Sequence, residues 1–478
     1  MNTYFKRFTP INTAIFLLLI FFLCLSFSLE ASAQENNKNS LILLLNGNNG
    51  MSTNIIKDNI EDEFPNVDIT PIKEINSIIL NNIHSNQIDP LKKYIEKDLA
   101  IAPNAIANDV KVNVPDQKTD TFANNIKAYS SVNRVNDSSL YDSILWDIKQ
   151  VTNDFQSYTI NEGSHHTKVG ILDSGIDFNH PDLKQNIISS GESFIPGDSS
   201  TKDTFGHGTM VAGTIAANGE LKGVSPNIGL VPYKVVDENG GQSSWVIEAI
   251  VQSTKDDMDV INLSLSTFKS LKDKEDRNII KAYERAFRYA RENNTVVVAS
   301  AGNDSFNISN PKQLAIQMGD SNNVFKSVPS GMKNVITVSG TTKEKSLSSY
   351  SNYGKNISIS APSGDYGPYF KDKQVVDLDS WVLTTYPTNL PQTNLSKSVD
   401  LNPGYELTLG TSVASPKVTA AVALVKDEYF KKHKKTLSNK EVEKIIYNTS
   451  EKPDGYNKEF LGSGIVNVYK ALSYIDRN

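Results

Sequence analysis

The chain has 478 residues, enough for two or three domains, one of them a large α/β core. Its 48 basic and 54 acidic residues are well mixed and sum to −6, which excludes the basic stripe that a nucleic-acid partner needs. A single cysteine, Cys24, excludes a disulfide framework and a cysteine-based metal site.

Residues 1–33 have the pattern of an export signal. Lys6 and Arg7 precede an apolar run over 14–29, and Ala31-Ser32-Ala33 supplies a small-x-small cleavage site. An uncleaved anchor helix is the alternative reading. The run is short for a membrane span, and the cleavage site favours removal after Ala33. Cys24 lies inside this run behind Phe22-Leu23, a poor setting for lipid attachment. The mature chain is therefore expected to be secreted, thiol-free and without a stable membrane anchor.

Residues 34–134 form a candidate small α+β unit. Leu41 to Leu45 is an apolar run ending in a turn at Asn46-Gly47-Asn48. Ser52 or Thr53 caps a helix whose Ile56, Ile60 and Phe64 share a face, Val67 and Ile69 alternate as in a strand, and Leu91 and Ile95 suggest a second helix. Residues 103–135, punctuated by Pro, Asn, Asp and Ser, are expected to be a linker.

From Trp146 strands and helices alternate. Strands are expected at 168–172, 230–236, 260–263, 295–299 and 335–338, with helices at 209–217, 245–255 and 278–293. This alternation predicts a parallel sheet with helices on both faces, which binds ligands at the carboxyl ends of its strands. The run from Val418 to Val425 is hydrophobic nearly all round, hence a buried helix, with Pro416 placed in its first turn. Lys431-Lys432-His433-Lys434-Lys435 then complements the helix C-terminus.

Four short motifs fall at strand ends or helix starts. Asp173 closes the strand 168–172, and His207 stands in the Gly-framed turn Gly206-His207-Gly208. Asn303 follows Ser300-Ala301-Gly302 off another strand, and Ser412 sits in Gly410-Thr411-Ser412-Val413-Ala414-Ser415-Pro416. Each has a bland reading: a strand-end turn residue, a helix start, a turn former and a helix N-cap. Together they have a chemical one. A serine hydroxyl is a weak nucleophile, so a histidine must take its proton and return it to the leaving amine. An aspartate holds that imidazole in the useful tautomer, while an amide side chain and a helix-start N–H stabilise an oxyanion. His165-His166 has no metal-binding partner motif and is expected at the surface.

In these motifs, in the order Asp, His, Asn, Ser, the chain from about residue 140 resembles the subtilisin-type serine proteases. The resemblance implies a subtilisin-like parallel seven-stranded α/β sheet for 135–478, preceded by a propeptide (34–134) that acts as chaperone and temporary inhibitor. It implies Asp173, His207 and Ser412 as catalytic residues and Asn303 as oxyanion donor. It places substrate along Ser264, Leu265, Ser266 and Gly241, with Ala301, Gly302 and Asp304 on the pocket. No cofactor is needed for this chemistry. Family members carry a structural calcium, with Asp182 as the matching ligand. Here the loop that supplies the other ligands is shortened to Asn218-Gly219-Glu220-Leu221-Lys222, so the strong site is expected to be absent.

Two further departures concern the cleft. Ser266-Thr267 stands where glycines are usual, and insertions after Asn303 and between Pro362 and Thr411 are expected to form a rim that sets specificity. Trp146-Asp147-Ile148-Lys149-Gln150 and Thr384-Thr385-Tyr386-Pro387-Thr388-Asn389-Leu390-Pro391 resemble the lantibiotic leader peptidases. These exported subtilases remove the leader of a thioether-bridged peptide, usually after a basic residue. Asp304 would then meet the basic side chain, with Asp320 the weaker candidate, and self-cleavage is expected near Arg134. The expectation is a monomeric secreted endopeptidase whose partners are a peptide substrate and its own propeptide. The competing readings are a broad-specificity degradative subtilase and a catalytically silent binding module.

Overall fold

The computed structural model describes residues 38–45, 52–101, 106–109, 111–112, 127–129, 144–373 and 375–477. The signal segment, Cys24 and Arg134 lie outside them.

The N-terminal unit is a four-stranded antiparallel sheet carrying two helices. Its elements are β1 (Lys38–Leu44), α1 (Thr53–Glu63), β2 (Asp68–Ile72), β3 (Ser77–His84), α2 (Ile88–Lys97) and β4 (Ile106–Asn108), with sheet order β2-β3-β1-β4. Alternate residues of a strand face opposite ways. Leu41 and Leu43 pack with Ile56, Ile60, Leu91 and Ile95 inside the unit, whereas Ile42 and Leu44 pack outward against the main domain. Both faces are covered, so β1 appears in the sequence as a continuous apolar run. The linker expected at 103–135 is corrected in part: 106–108 pairs with β1, and β5 (Lys111–Val112) pairs with the main domain.

The main domain is built on a seven-stranded sheet. Its strands are β6 (Lys168–Asp173), β7 (Glu192–Ser193), β8 (Gly229–Lys234), β10 (Val260–Leu263), β11 (Val296–Ser300), β12 (Ile336–Thr341) and β13 (Ile359–Pro362), with β9 (Gly240–Gln242) lying apart. The order is β13-β12-β11-β10-β6-β8-β7, and every pairing is parallel. The helices that matter for the site are α3 (Trp146–Thr152), α4 (His207–Ala216), α5 (Ser243–Lys255), α6 (Lys274–Glu292) and α7 (Thr411–His433). Helix α7 crosses one face and is buried from Thr411 to Glu428, as its all-round apolar sequence requires.

One detail of α7 corrects the sequence reading. The helix begins at Thr411, with Gly410 as N-cap, so Pro416 lies inside it, beyond the first turn. Proline has no N–H to give to the carbonyl four residues back. That carbonyl, Ser412 O, is taken instead by the Ser264 hydroxyl at 2.9 Å.

The two insertions are also structured. The first returns through Phe325–Val328, which pairs antiparallel with Thr267–Ser270. The residues replacing the usual glycines thus lead into a β-ribbon that clasps the insertion. In the second, Val382–Thr385 and Tyr405–Thr408 form a buried hairpin. Thr384 and Thr385 donate to Met210 O (2.8 Å) and Thr209 O (2.7 Å) of α4. This part of the expected rim is core and braces the histidine helix.

Candidate active site

Three neighbouring strands deliver side chains to one sheet edge. β6 ends on Asp173, β10 runs into Ser264-Leu265-Ser266, and β11 runs into Ala301-Gly302-Asn303-Asp304. This is the carboxyl edge, where open α/β sheets bind ligands. Helices α4 and α7 start above it, with His207 the first residue of one and Ser412 the second of the other.

His207 Nδ1 lies 2.7 Å from Asp173 Oδ1, and both side chains are buried. The same oxygen accepts from Ser174 N at 2.8 Å, which fixes the carboxylate. Because a carboxylate accepts, the imidazole proton belongs on Nδ1 and Nε2 is left as an acceptor. His207 Nε2 has no hydrogen-bond partner among the described residues. His207 and Ser412 line one cavity with Met210, Thr408, Leu409 and Val413. The Ser412 hydroxyl points to Ser264 O at 3.5 Å, a long contact it can leave at little cost.

The capping role weighed for Ser412 falls away, because the N-cap is Gly410, at φ +138. This left-handed backbone favours glycine. A side chain at 410 would also crowd Asn303 Nδ2, 3.2 Å from the position its Cβ would take. Asn303 Oδ1 accepts from Thr411 N (2.9 Å) and Thr411 Oγ1 (2.8 Å). With its oxygen so engaged, the amide NH2 is turned toward the start of α7, where the helix dipole also favours negative charge. Thr411 is a positioning residue that the sequence reading missed.

Asp203 was missed as well. Its buried carboxylate accepts from Phe205 N (3.0 Å), Gly206 N (2.7 Å), Ser174 Oγ (2.9 Å), Thr209 N (2.9 Å) and Thr209 Oγ1 (2.6 Å). It ties the histidine turn to the strand end that carries Asp173. Burial pushes its carboxyl above the ordinary range, against the pull of donors from Thr209, Gly206 and Phe205. An acid shortly before a glycine-framed helix start was the available signal. Gly208 is needed at this turn, since a Cβ there would stand 2.1 Å from Gly175 O.

The expected substrate residues divide into two groups. Gly241 pairs with Val112 of the N-terminal unit, so peptide backbone already lies on β9. Ser266 is half-buried, and Asp304 is exposed at the end of β11, where Asn352 Nδ2 donates to its Oδ2 at 3.1 Å. Ser264 and Leu265 are buried, Ser264 by bonding to Ser412 O and Ser415 Oγ, so they offer backbone rather than side chains. Ala301 and Gly302 are buried too; Gly302 N donates to Thr411 Oγ1 at 3.1 Å. Asp320 is exposed on the first insertion, accepting from Asn323 Nδ2. His165 and His166 are exposed; one contacts Asn186 and the other stacks on Phe430.

The carboxylate of Asp182 accepts hydrogen bonds from its neighbours. Its Oδ1 accepts from Glu220 N (3.0 Å), and its Oδ2 from Leu221 N (2.9 Å) and the Tyr405 hydroxyl (3.1 Å). These partners are donors, whereas calcium needs six to eight oxygen acceptors. Among the described residues no group of three or more His, Cys, Asp or Glu is placed to hold a metal.

The family model described as "Subtilase family" matches residues 164–464. The chain is 30% identical over 415 residues to the epidermin leader peptide-processing serine protease EpiP of Staphylococcus epidermidis, covering 82% of this chain and 86% of that one. It is 33% identical over 317 residues to the nisin leader peptide-processing serine protease NisP of Lactococcus lactis, covering 59% of this chain and 44% of that one. The crystal structure of EpiP from Staphylococcus aureus superposes with a TM-score of 0.71 at 25% identity, over 93% of this chain and 100% of that chain. On a match of this extent the chain belongs to the subtilase family and is a subtilisin-type serine protease, related to the proteases that process lantibiotic leader peptides.

Proposed function

We propose that this protease is exported as a precursor, frees itself of its N-terminal unit, and then removes the leader from a thioether-bridged peptide by cutting after a basic residue. The observation that carries the reading is the strand pair Val112–Gly241. A segment of the chain lies where the family resemblance puts substrate, so the N-terminal unit covers the cleft as a product would. The relatives' names support the leader peptide as substrate class. Lys6, Arg7 and the site at 31–33 support export, and no helix among the described residues is long and apolar enough to cross a membrane.

In this reading Ser412 Oγ attacks the scissile carbonyl carbon while His207 Nε2 takes its proton. Asp173 holds the imidazole and stabilises it once charged. Asn303 Nδ2 and the Ser412 N–H receive the oxyanion. His207 then returns the proton to the leaving nitrogen as the C–N bond breaks, and water repeats the cycle on the acyl-enzyme.

Intact mass and N-terminal sequencing of the secreted wild type beside Ser412→Ala test the proposal. The wild type is expected to lose the N-terminal unit and the variant to keep it, with the new terminus following Arg134. If both keep residues 34–134, self-processing is wrong. If both are trimmed alike, another protease does the cutting.

A further inference from the structure

Asp109 of the N-terminal unit places its carboxylate against the main domain. Asp109 is held by its own N–H donating to Ser40 O at 2.9 Å, three residues before the Val112 that pairs with Gly241. Both of its oxygens accept from Ser244 N at 3.1 Å, in the first turn of α5. A helix N-terminus attracts a carboxylate through its unspent N–H groups and its dipole.

Two buried polar groups near this contact are left without hydrogen-bond partners among the described residues. Lys269 is wholly buried, and its Nζ has no hydrogen-bond partner among the described residues. Burial pulls its pKa down to about 8, against the charges of Asp276 of α6 and of Asp109 itself. Ser244 Oγ is buried without a partner as well. Leaving a buried cation and hydroxyl unspent is costly. When the N-terminal unit departs, Asp109 leaves with it, and an ammonium, a hydroxyl and a helix-start N–H remain beside the substrate strand.

We propose that this vacated pocket is a carboxylate-binding exosite of the released enzyme. It takes an Asp or Glu side chain of the peptide substrate, three residues N-terminal to the substrate residue that pairs with Gly241. Asp109 is the internal mimic of that side chain. The exosite selects substrates with an acidic residue upstream of the cleaved bond and contributes to binding rather than to the chemical step. The inference rests on the leader-peptide reading, because it needs the substrate to follow the path of residues 109–112.

The test is an aspartate walk on the released wild-type enzyme. A neutral peptide cut after a single arginine receives one Asp at each upstream position in turn, and kcat and KM are measured for every member. One position is expected to raise kcat/KM about tenfold through KM, the scale of one charge-assisted contact. Lys269→Met is expected to flatten the profile while the Asp-free peptide is cut as before, with its melting temperature checking the fold. Ser244→Pro, which deletes the bonded N–H in a first turn that tolerates proline, flattens it independently. A flat profile in an active wild type overturns the exosite and leaves leader processing standing. A peak that survives both substitutions overturns its assignment to this pocket. An enzyme that degrades casein but cuts none of the peptides overturns the leader-peptide reading, and the exosite with it.

Discussion

At the residue scale, the candidate site depends on how few donors and acceptors are left unspent. Asn303 Oδ1 is held twice by Thr411, which leaves the opposite end of the amide, its NH2, to donate; in the proposed mechanism that end receives the oxyanion. Asn303→Ala is therefore expected to lower kcat about 10²–10³-fold with little change in KM, the figure known for that change in subtilisin and carried over from it. Asp304 stands exposed at the end of the strand that supplies Asn303, its carboxylate steadied by Asn352. Asp304→Asn is expected to reduce kcat/KM more for peptides with a basic residue before the cut than for neutral ones. Equal losses on both would show that Asp304 does not contact the substrate. The four residues Asp173, His207, Asn303 and Ser412 were legible in the sequence because each lies within a short motif of small residues. Thr411 was not, since its partners Gly302 and Asn303 are distant in the chain, and Asp203 was passed over although most of its donors lie within six residues of it.

At the scale of elements, α7 is held in place at two points near its start. Pro416 forfeits one helical hydrogen bond, which Ser264 replaces from β10's end. Lys417 Nζ makes an ion pair with Asp147 of α3 at 2.8 Å and donates to Val413 O at 2.8 Å, both ion-pair side chains being wholly buried. Burial lowers the lysine's pKa and the paired carboxylate raises it, with burial prevailing. Removing one partner leaves an uncompensated buried charge. Lys417→Met is expected to cost about 3–5 kcal/mol in urea unfolding, and Asp147→Leu in the same chain to recover much of it. A single variant as stable as wild type would show that the pair contributes nothing. The Trp146–Gln150 stretch, noticed for its resemblance to leader peptidases, thus has a physical role as the segment that supplies α7 with its counter-ion.

At the scale of the whole molecule, the N-terminal unit and the main domain share an apolar layer. Ile42, Leu44, Ile75 and Ile79 pack with Val246, Ile250, Tyr283 and Phe287 in one cluster. Arg285 of α6 adds donation to the carbonyls of Leu45, Ile75 and Asn76 at 3.3, 3.1 and 3.0 Å. The carboxylate of Asp182 is taken up by the loop it closes, and we propose that the main domain does not call on calcium there. Chelation with EDTA is expected to leave the melting temperature of the released enzyme unchanged. A tight site at a hundredfold excess of ion would add about 2.7 kcal/mol, so a clear calcium-dependent rise would overturn this.

The sequence by itself determined the parallel sheet and the order of its chemistry. Strands buried on both faces must be continuous apolar runs, and the glycines flanking His207 and preceding Ser412 are demanded by local backbone and close approach. Only the tertiary structure decided the rest. The strand at Ile359–Pro362, the two-residue strand Glu192–Ser193 and the segments at 106–112 carry weak local patterns and owe their form to distant partners. The hairpin of the second insertion became core, and Asp182 became a loop cap, because hydrogen bonds and packing between residues far apart in the chain are absent from any local pattern. The meeting of Asp109 with Ser244 and Lys269 spans up to 160 positions of chain, and only folding brings such charges together.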